Sequence, residues 1–508
     1  MKKILRILFN RLTIIALLII LQVGMMIYLL QYFSKVYTWI PILTTIIEIT
    51  LILDLVNRDM NADLKLPWLA VVMIVPVAGI IIYVIFSRNK ASKKDVKKYM
   101  NINKEIQDLL KDIEADPKVL NEYAGQSNYI KNTCKSSLFK NESTKYFACG
   151  EKFYQEYIND LLNAQKFIFM EYFIFEEGQM LDSILKILKD KVKNGIEVRI
   201  MYDDLGCINK VKQNFKYQLE QFGIKCVKFS PFKPIVSAVH NNRDHRKITV
   251  IDGVISYVGG INIADEYINV KSKYGYWKDS AIKIVGNATN QFTLFFLQLF
   301  NLMNKDKDNY SNYLIYNKEL SENNTKGYIQ PFCDGPSPLL PDLIGENVYV
   351  NLINQAKNTI NICTPYLIID SVLKNSLILA AKRNVKVNIF MPHIPDKKII
   401  NILSKSNYID LIKNGINIYE YKPGFLHSKN FLVDDELAVV GTINLDYRSL
   451  VHHYECGVWM YKTDSLLDIK KDFINLEKDS IKINSSNFKM KWYEKVIYRI
   501  ISIFSPMM

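Results

Sequence analysis

Cysteine is scarce in this chain, and the few cysteines present are scattered. The 508 residues include seven cysteines, an odd number, at positions 134, 149, 207, 226, 333, 363 and 456. None of these spacings is typical of a metal site, and the pattern excludes a disulfide framework. The sequence therefore predicts free thiols in a reducing compartment.

Acidic residues are also in deficit. The chain has 51 aspartates and glutamates against 65 lysines and arginines, which gives a formal net charge of +14 at pH 7. A positive excess of this kind favours anionic partners, either a nucleic acid or an acidic lipid surface. The length is sufficient for a membrane anchor and two domains of ordinary size.

Charge is nearly absent from long stretches of the first 90 residues. Leu12–Leu30 is long and uncharged, and Leu66–Phe86 is a second clear apolar segment, so both predict spanning helices. Ile40–Val56 is apolar but contains Glu48 and Asp54. No small-residue cleavage site follows the first segment, and we therefore expect no cleaved signal peptide. Residues 1–90 are predicted to form a membrane anchor of two to three helices.

Basic residues flank this anchor on both sides. Four precede the first segment, and a larger cluster of lysines and arginine follows Phe86. The positive-inside rule places both sets in the cytoplasm, which requires an even number of crossings, whereas the sequence has three apolar segments. Either Ile40–Val56 does not cross, or the N-terminus lies outside. The larger cluster decides the matter, and we expect a multi-pass protein of the bacterial cell membrane with cytoplasmic catalytic domains.

One long gapped pattern occurs twice in the remaining chain. It reads His-x-Lys, four residues, Asp, six residues, Gly, a small residue, any residue and Asn. Identical internal spacing over such a length is a far stronger signal than a single glycine-rich loop. The residues that fill the pattern are His245, Lys247, Asp252 and Asn262 in the first copy and His427, Lys429, Asp434 and Asn444 in the second.

The spacing of this pattern suits phosphodiester chemistry. Each His-x-Lys opens a predicted strand, and residues two apart on a strand share a face. Each copy thus supplies an imidazole, a positive charge and an amide. Two facing copies provide a histidine nucleophile, a histidine acid, and lysines and asparagines for the phosphate oxygens. The lysines supply the charge that a metal ion supplies elsewhere, so we expect no metal and no cofactor.

The other histidines carry less chemical signal. The pair His452 and His453 is expected beside the site or in the core. His240 and His393 are expected in loops near the mouth of the site, without a chemical role. Both are lone histidines outside the repeated pattern.

The two motifs resemble the paired signatures of the phospholipase D superfamily. Their flanks, such as Trp277-Lys-Asp279, Asp446-Tyr-Arg448 and Tyr454-Glu455, resemble the bacterial cardiolipin synthase family over nearly the whole chain. The resemblance implies two phospholipase D-like domains in a pseudo-twofold arrangement with the site between them. It also implies a reaction. One phosphatidylglycerol forms a phosphatidyl-histidine and releases glycerol, and a second phosphatidylglycerol then attacks to give cardiolipin.

The resemblance further implies supporting roles. Glu455 and Asp279 would each orient a catalytic histidine through one ring nitrogen. Arg448 would bind a headgroup phosphate, although a pair with Asp446 is an equal alternative. Glu171 either lines the pocket or satisfies backbone groups at a strand end.

Two further assignments concern the motif residues themselves. Asp252 and Asp434 are counted with the catalytic residues as motif members, but we favour the interpretation that each caps its own turn. Motif order does not identify the nucleophile. We favour His245 in that role, with His427 as acid and then base.

Strands and helices alternate in the same order in both halves, which predicts an α/β fold with mixed or largely parallel sheets and helices on both faces. We divide the chain into the anchor 1–90, a charged and solvated connector 91–125, a first domain 126–320 and a second domain 321–485. Residues 486–508 form an amphipathic basic helix that either lies in the membrane interface or packs on the domain.

Three other functions fit the same residues. A phospholipase D hydrolase would use water as acceptor, a membrane-tethered nuclease would use the basic charge, and a scaffold would not need the histidines. The apolar segments and the lipid-synthase flanks favour phosphatidylglycerol and anionic membrane lipid as partners. No nucleic acid is expected, and an oligomer is possible.

Overall fold

The structure is a computed structural model that describes residues 39–58, 60–74, 76–87, 92–231, 241–304, 308–316, 325–484 and 491–507. It also describes residue 488 and scattered positions between 20 and 35. Most of the predicted span Leu12–Leu30 lies outside the described residues, and so does His240.

Both halves of the chain are built on strands, and a strand follows each motif histidine as the spacing predicts. The strands of the first half are β1 (Phe139–Lys140), β2 (Ser143–Phe147), β3 (Phe167–Tyr172), β4 (Glu197–Asp203), β5 (Lys225–Phe229), β6 (Arg243–Asp244), β7 (Lys247–Ile251), β8 (Ile255–Gly259), β9 (Tyr276–Lys278) and β10 (Ala281–Val285). Those of the second half are β11 (Tyr328–Asp334), β12 (Thr359–Cys363), β13 (Leu367–Ile368), β14 (Lys386–Pro392), β15 (Asn417–Tyr421), β16 (Gly424–Leu426), β17 (Asn430–Val433), β18 (Leu437–Gly441), β19 (Leu445–Asp446), β20 (His453–Tyr461) and β21 (Ser480–Ile483).

The two main sheets repeat one strand order. It is β10-β8-β7-β3-β4-β5 in the first sheet and β20-β18-β17-β12-β14-β15 in the second. Within each run only the last three strands are parallel, and the others are antiparallel. Both sheets are therefore mixed, which is one of the two expected arrangements, and neither is largely parallel. The reason is the motif itself, because β7–β8 and β17–β18 are hairpins, which must be antiparallel.

The hairpin turns explain the residues at their tips. Asp252 and Gly253 have φ of 56° and 72°, and Asp434 and Asp435 have φ of 52° and 59°. Two successive positive φ angles are characteristic of the tight turn that matches the twist of a hairpin. Aspartate and glycine are among the residues that tolerate this backbone best.

Helices cover the sheets and link them. They are α1 (Trp39–Asn57), α2 (Ala62–Ile74), α3 (Pro76–Phe86), α4 (Lys93–Ile106), α5 (Ala124–Cys134), α6 (Gly150–Asn163), α7 (Gln179–Lys193), α8 (Phe215–Gln221), α9 (Thr289–Met303), α10 (Ile344–Gln355), α11 (Ser371–Lys382), α12 (Lys398–Ser406), α13 (Tyr408–Lys413), α14 (Leu466–Lys478) and α15 (Trp492–Ile501). Almost every residue of α9 is buried, because the helix contacts both β7 of the first sheet and β11 of the second. The two halves thus share one core.

The predicted span Leu66–Phe86 is two helices, α2 and α3, that fold back on each other. The rings of Trp68 and Tyr83 lie 5.6 Å apart. A Cβ on Gly79 would come within 2.3 Å of the Val71 carbonyl oxygen, so this contact requires glycine. The expectation of a single continuous helix here is wrong. Among the described residues, no helix combines the length and the apolar character needed to cross a membrane.

The segment expected to be a solvated connector is partly buried. Tyr99, Ile102 and Ile106 on one face of α4 belong to the core, and α4 packs against α9. The amphipathic spacing of these three apolar residues determines that burial. The C-terminal helix α15 also packs on the body, with Tyr498 in a cluster around Leu403, while Trp492 remains 78% exposed.

Candidate active site

The two motif histidines lie where the halves meet, and each is held by the opposite half. The backbone N–H of His245 donates to the carbonyl oxygen of Tyr454 at 2.9 Å. The backbone N–H of His427 donates to the carbonyl oxygen of Lys278 at 2.7 Å. These equivalent bonds bring both copies of the motif to one interface, as the repeat predicts.

The carboxylates that orient the histidines also cross between the halves. Nδ1 of His245 lies 2.9 and 3.0 Å from the two carboxyl oxygens of Glu455, and Nδ1 of His427 lies 2.6 Å from Oδ2 of Asp279. Both predicted contacts are therefore present. An ionised carboxylate only accepts hydrogen bonds, and with both carboxylates ionised each Nδ1 carries the proton and each Nε2 keeps its lone pair. Burial raises the pKa of Glu455 well above its ordinary value, and Nζ of Lys429 lies 2.9 Å from Nδ1 of His427. In the ionised state of the carboxylates, both imidazoles are in the tautomer that can act as a nucleophile or a base.

Two buried lysines accompany the histidines. The ammonium of Lys247 donates to the His245 carbonyl oxygen at 2.5 Å, and that of Lys429 donates to the His427 carbonyl oxygen. Burial lowers the pKa of Lys247 to about 7 and that of Lys429 to about 8. A group of buried cations disfavours its own charge unless an anion binds, and a phosphodiester is such an anion.

The same surroundings act on the imidazoles. Burial, followed by the charge of Lys429, lowers the pKa of His427 to about 4, while Asp279 opposes that shift. Burial and the charge of Lys247 hold the pKa of His245 well below its ordinary value. Both rings are therefore neutral at neutral pH before an anion enters.

The two predicted amide ligands differ. Asn262 donates to the Tyr267 hydroxyl at 2.6 Å and accepts from the backbone N–H of Ile174 at 3.1 Å, so its side chain is engaged within the protein. The buried side-chain oxygen of Asn444 has no hydrogen-bond partner among the described residues, and its NH₂ group donates to none of them. This NH₂ group can therefore donate to a phosphate oxygen, which makes Asn444 the amide better placed to meet a ligand.

Asp252 and Asp434 do not belong to the catalytic group, which corrects that assignment. Each lies five residues beyond its motif lysine, at the far end of the strand. Each carboxylate binds three consecutive backbone N–H groups that lead into the neighbouring strand, and not the turn that it was expected to cap. The donors are Gln165, Lys166 and Phe167 for Asp252, and Lys357, Asn358 and Thr359 for Asp434.

Replacing Asp434 with alanine is therefore expected to lower the free energy of unfolding by about 2 kcal/mol, because three charge-assisted hydrogen bonds are lost. Activity per folded molecule is expected to stay within about threefold. Denaturant titration of the detergent-solubilised chain together with a specific-activity assay measures both. Asp435→Ala is the matched control, since among the described residues its exposed carboxylate pairs with the exposed Lys470 alone, at 2.7 Å. An inactive Asp434→Ala variant of undiminished stability would contradict the structural role.

The other two predicted supporting residues, Glu171 and Arg448, lie in different surroundings. Glu171 is fully buried and forms an ion pair of 2.5 Å with Arg246, so it neither lines the pocket nor caps a strand. Arg448 is exposed, and its charge helps to lower the pKa of His453, which places the guanidinium on that side of the site. His393 binds Glu420 at 2.8 Å.

Aromatic rings that the sequence did not single out border the histidines. The ring centroid of Phe173 lies 5.1 Å from that of His245, and those of Tyr267 and Trp277 lie 5.6 and 5.3 Å from that of His427. One signal could have identified Phe173. The antiparallel partner of β7 is β3, so the residue after β3 had to end beside His245.

One group of side chains could hold a metal ion. Within the part of the chain that the structure describes, only His245, His453 and Glu455 bring three potential ligand atoms within 4.8 Å of one another. Burial, and then neighbouring charges that include Lys247, lower the pKa of both these histidines, so a bound cation would add to the positive charge of protonated Lys247. The expectation that no metal is needed stays a prediction.

Two protein families match parts of this chain. The family described as "Cardiolipin synthase, PLD-like domain" matches residues 157–293 and 349–477, together more than half of the chain. The family described as "Phospholipase_D-nuclease N-terminal" matches residues 46–88.

Individual proteins are similar over most of the chain. A cardiolipin synthase of Alkalihalophilus pseudofirmus is 31% identical over 91% of this chain and 92% of its own length. A Streptococcus mutans protein that carries no functional name is 41% identical over 90% of this chain and 99% of its own. The solved structure of phosphatidylserine synthase from Haemophilus influenzae covers 76% of this chain and 98% of its own with a TM-score of 0.56 at 17% identity, which shows a shared fold. The chain therefore belongs to the cardiolipin synthase family of phospholipase D-like proteins.

Proposed function

We propose that this protein is a phosphatidyltransferase that makes cardiolipin and glycerol from two molecules of phosphatidylglycerol. The observation that carries the proposal is the crossed arrangement of His245 with Glu455 and His427 with Asp279. It supplies two imidazoles in the same tautomer, beside two lysines, at one interface. A nucleophile and an acid on one phosphodiester require this combination.

The first half-reaction breaks the bond between phosphorus and the glycerol oxygen. His427 takes up a proton at Nε2 when the anionic phosphodiester enters, because the phosphate charge favours the charged form of a buried imidazole. Nε2 of His245 then attacks phosphorus, and the imidazolium of His427 donates this proton to the departing oxygen, which gives glycerol and a phosphatidyl-histidine. We assign the acid to His427, whose Nδ1 lies 2.6 Å from Oδ2 of Asp279. Asp279 stabilises the resulting imidazolium.

The second half-reaction reverses the roles. Neutral His427 removes the proton from a hydroxyl of the second phosphatidylglycerol, whose oxygen attacks phosphorus while the bond to His245 breaks. Lys247, Lys429 and Asn444 bind the non-bridging oxygens, where negative charge accumulates. These side chains account for the charge in both steps, so the proposed reaction uses no cofactor.

We further propose that the N-terminal helices hold the enzyme in the bacterial cell membrane as a multi-pass anchor, with a pseudo-twofold pair of catalytic domains in the cytoplasm. The basic cluster after Phe86 supports this orientation. So do the large apolar side chains of α1 to α3 that lie exposed to solvent. Those on the surface are Trp39, Ile42, Leu43, Ile46, Ile47, Ile49, Leu53, Val56, Leu66, Met73, Ile74 and Val84. A surface of this kind matches lipid and not water.

The deciding experiment reconstitutes the full chain in phosphatidylglycerol vesicles and quantifies every lipid product. We expect cardiolipin and free glycerol in equal amounts, with phosphatidic acid as a minor product. If phosphatidic acid were formed without cardiolipin, the enzyme would be a hydrolase and not a transferase. Cleavage of DNA without any lipid product would favour the nuclease.

The lysine pKa values predict a pH dependence. Lys247 and Lys429 carry the phosphate-binding charge only below a pKa of about 7 and about 8 in the free enzyme. We therefore expect kcat/KM for phosphatidylglycerol to fall as the pH rises through this range, since kcat/KM reports groups of the free enzyme. The fall in kcat should occur at a higher pH than the fall in kcat/KM, because the bound phosphate raises the pKa values of both lysines. A flat kcat/KM between pH 6 and pH 9 would contradict these roles.

A further inference from the structure

A third histidine faces the same site without a role in the reaction described above. His453 is 8% exposed, and its ring centroid lies 5.4 Å from that of His245 and 6.5 Å from that of Phe173. It is two residues from Glu455 on β20, so the two side chains share a face of the strand. His453 thus forms part of the wall beside one of the reacting imidazoles.

Both ring nitrogens of His453 are buried, and neither hydrogen-bonds to any residue that the structure describes. Leaving two buried polar atoms unpaired costs free energy, which a bound ligand can recover. Burial and the charges of Arg448, His452 and Lys247 hold the pKa of His453 well below its ordinary value. The ring is therefore neutral and offers one donor and one acceptor.

The surroundings of His453 determine which ring nitrogen carries the proton and which keeps its lone pair. Nδ1 lies 3.6 Å from a carboxyl oxygen of Glu455, which already accepts hydrogen bonds from His245 and Thr442. A carboxylate in that role favours a proton on Nδ1, so Nε2 keeps its lone pair and needs a donor. A phosphodiester oxygen carries no hydrogen and cannot meet that need. A hydroxyl can.

The opposite half places a different side chain at the equivalent position. Lys278 and Tyr454 make the equivalent backbone bonds to the two histidines, so Trp277 corresponds to His453. An indole has one donor and no acceptor. The two sides of the site are therefore chemically distinct, because an imidazole at this position can accept a hydrogen bond from a ligand and an indole cannot.

We propose that His453 binds a hydroxyl of the glycerol headgroup, other than the reacting one, and so selects for phosphatidylglycerol. The inference rests on the proposed function for the identity of the lipid. A metal ion bound by His245, His453 and Glu455 is disfavoured by the charge of Lys247 beside both histidines, and by the loss of the Nδ1 contact that orients His245.

The test compares two donors in the membrane-reconstituted full chain. Phosphatidylpropanol lacks both free hydroxyls of phosphatidylglycerol, and single-turnover release of propanol or glycerol measures the first half-reaction. The wild type is expected to prefer phosphatidylglycerol by about tenfold, as one hydrogen bond provides. In His453→Phe the ratio of the two rates should fall to about one. His453→Asn, whose amide again offers a donor and an acceptor, should restore the preference.

His452→Phe is the matched control, since the neighbouring ring contacts the Pro506 carbonyl oxygen at 3.4 Å and should leave the ratio unchanged. His453→Leu replaces the phenylalanine variant if that variant does not fold. An unaltered preference in His453→Phe, or equal losses on both donors in the Phe and Asn variants, would overturn the proposal. So would a stoichiometric metal ion that is lost with His453. The assay measures release of the alcohol, which a hydrolase would also catalyse. The role of His453 can therefore be tested even if the enzyme makes no cardiolipin, and the two proposals fail separately.

Discussion

Replacing His427 with alanine is expected to lower turnover of phosphatidylglycerol by about 10³-fold, the size of a general-acid contribution. Without His427 the glycerol oxygen must leave as an alkoxide, which is a poor leaving group. The variant should nevertheless fold, because the neighbouring rings of Tyr267 and Trp277 keep their other packing contacts when the imidazole is removed. The assay is cardiolipin formation in phosphatidylglycerol vesicles, with circular dichroism to verify folding.

A donor with an activated leaving group separates the acid from the nucleophile. The 4-nitrophenyl ester of phosphatidic acid releases a phenolate that needs no proton. In His427→Ala it should still release nitrophenol in a burst and leave a phosphatidyl-enzyme. In His245→Ala the same donor should give no burst, because the attacking nitrogen is gone. Rescue of His245→Ala in place of His427→Ala would exchange the two assignments.

The sequence was sufficient to predict the strands that carry the two motifs and the histidines and lysines of the site. The repeated spacing identified both histidines and both lysines, since a period-two strand fixes which residues share a face. The family resemblance of the flanking residues also indicated the supporting carboxylates. The structure adds that Glu455 and Asp279 each serve the histidine of the opposite half. That crossing depends on how two domains pack, which local spacing does not contain.

The errors have a common physical origin in tertiary packing. Asp252 and Asp434 were grouped with the catalytic residues because they share the motif, yet their carboxylates hold the start of a neighbouring strand. The break between α2 and α3 depends on close contact at Gly79, which apolar composition alone does not predict. The burial of α4 likewise depends on α9, a helix from a distant part of the chain.

Glu455→Gln is expected to lower kcat by about 10³-fold, because a carboxylate that fixes the tautomer of a catalytic histidine contributes on this scale. An amide can present its NH₂ group to Nδ1 of His245. The ring proton then moves to Nε2, and the attacking lone pair is lost. Thr442→Val is the matched control. It removes the hydroxyl that donates to Glu455 and accepts from the backbone N–H of Cys456 but keeps the carboxylate, so its effect on kcat should stay near tenfold, and circular dichroism verifies its fold.

The crossed geometry makes a sharper demand than the loss of activity. Since Glu455 serves His245, Glu455→Gln should suppress the nitrophenol burst. Asp279→Asn acts on His427 and should leave the burst intact while cardiolipin formation falls. The carboxylate of the second domain would thus control the nucleophile of the first. If Asp279→Asn blocked the burst and Glu455→Gln did not, His427 would be the nucleophile, and the direction of the whole reaction across the interface would be reversed.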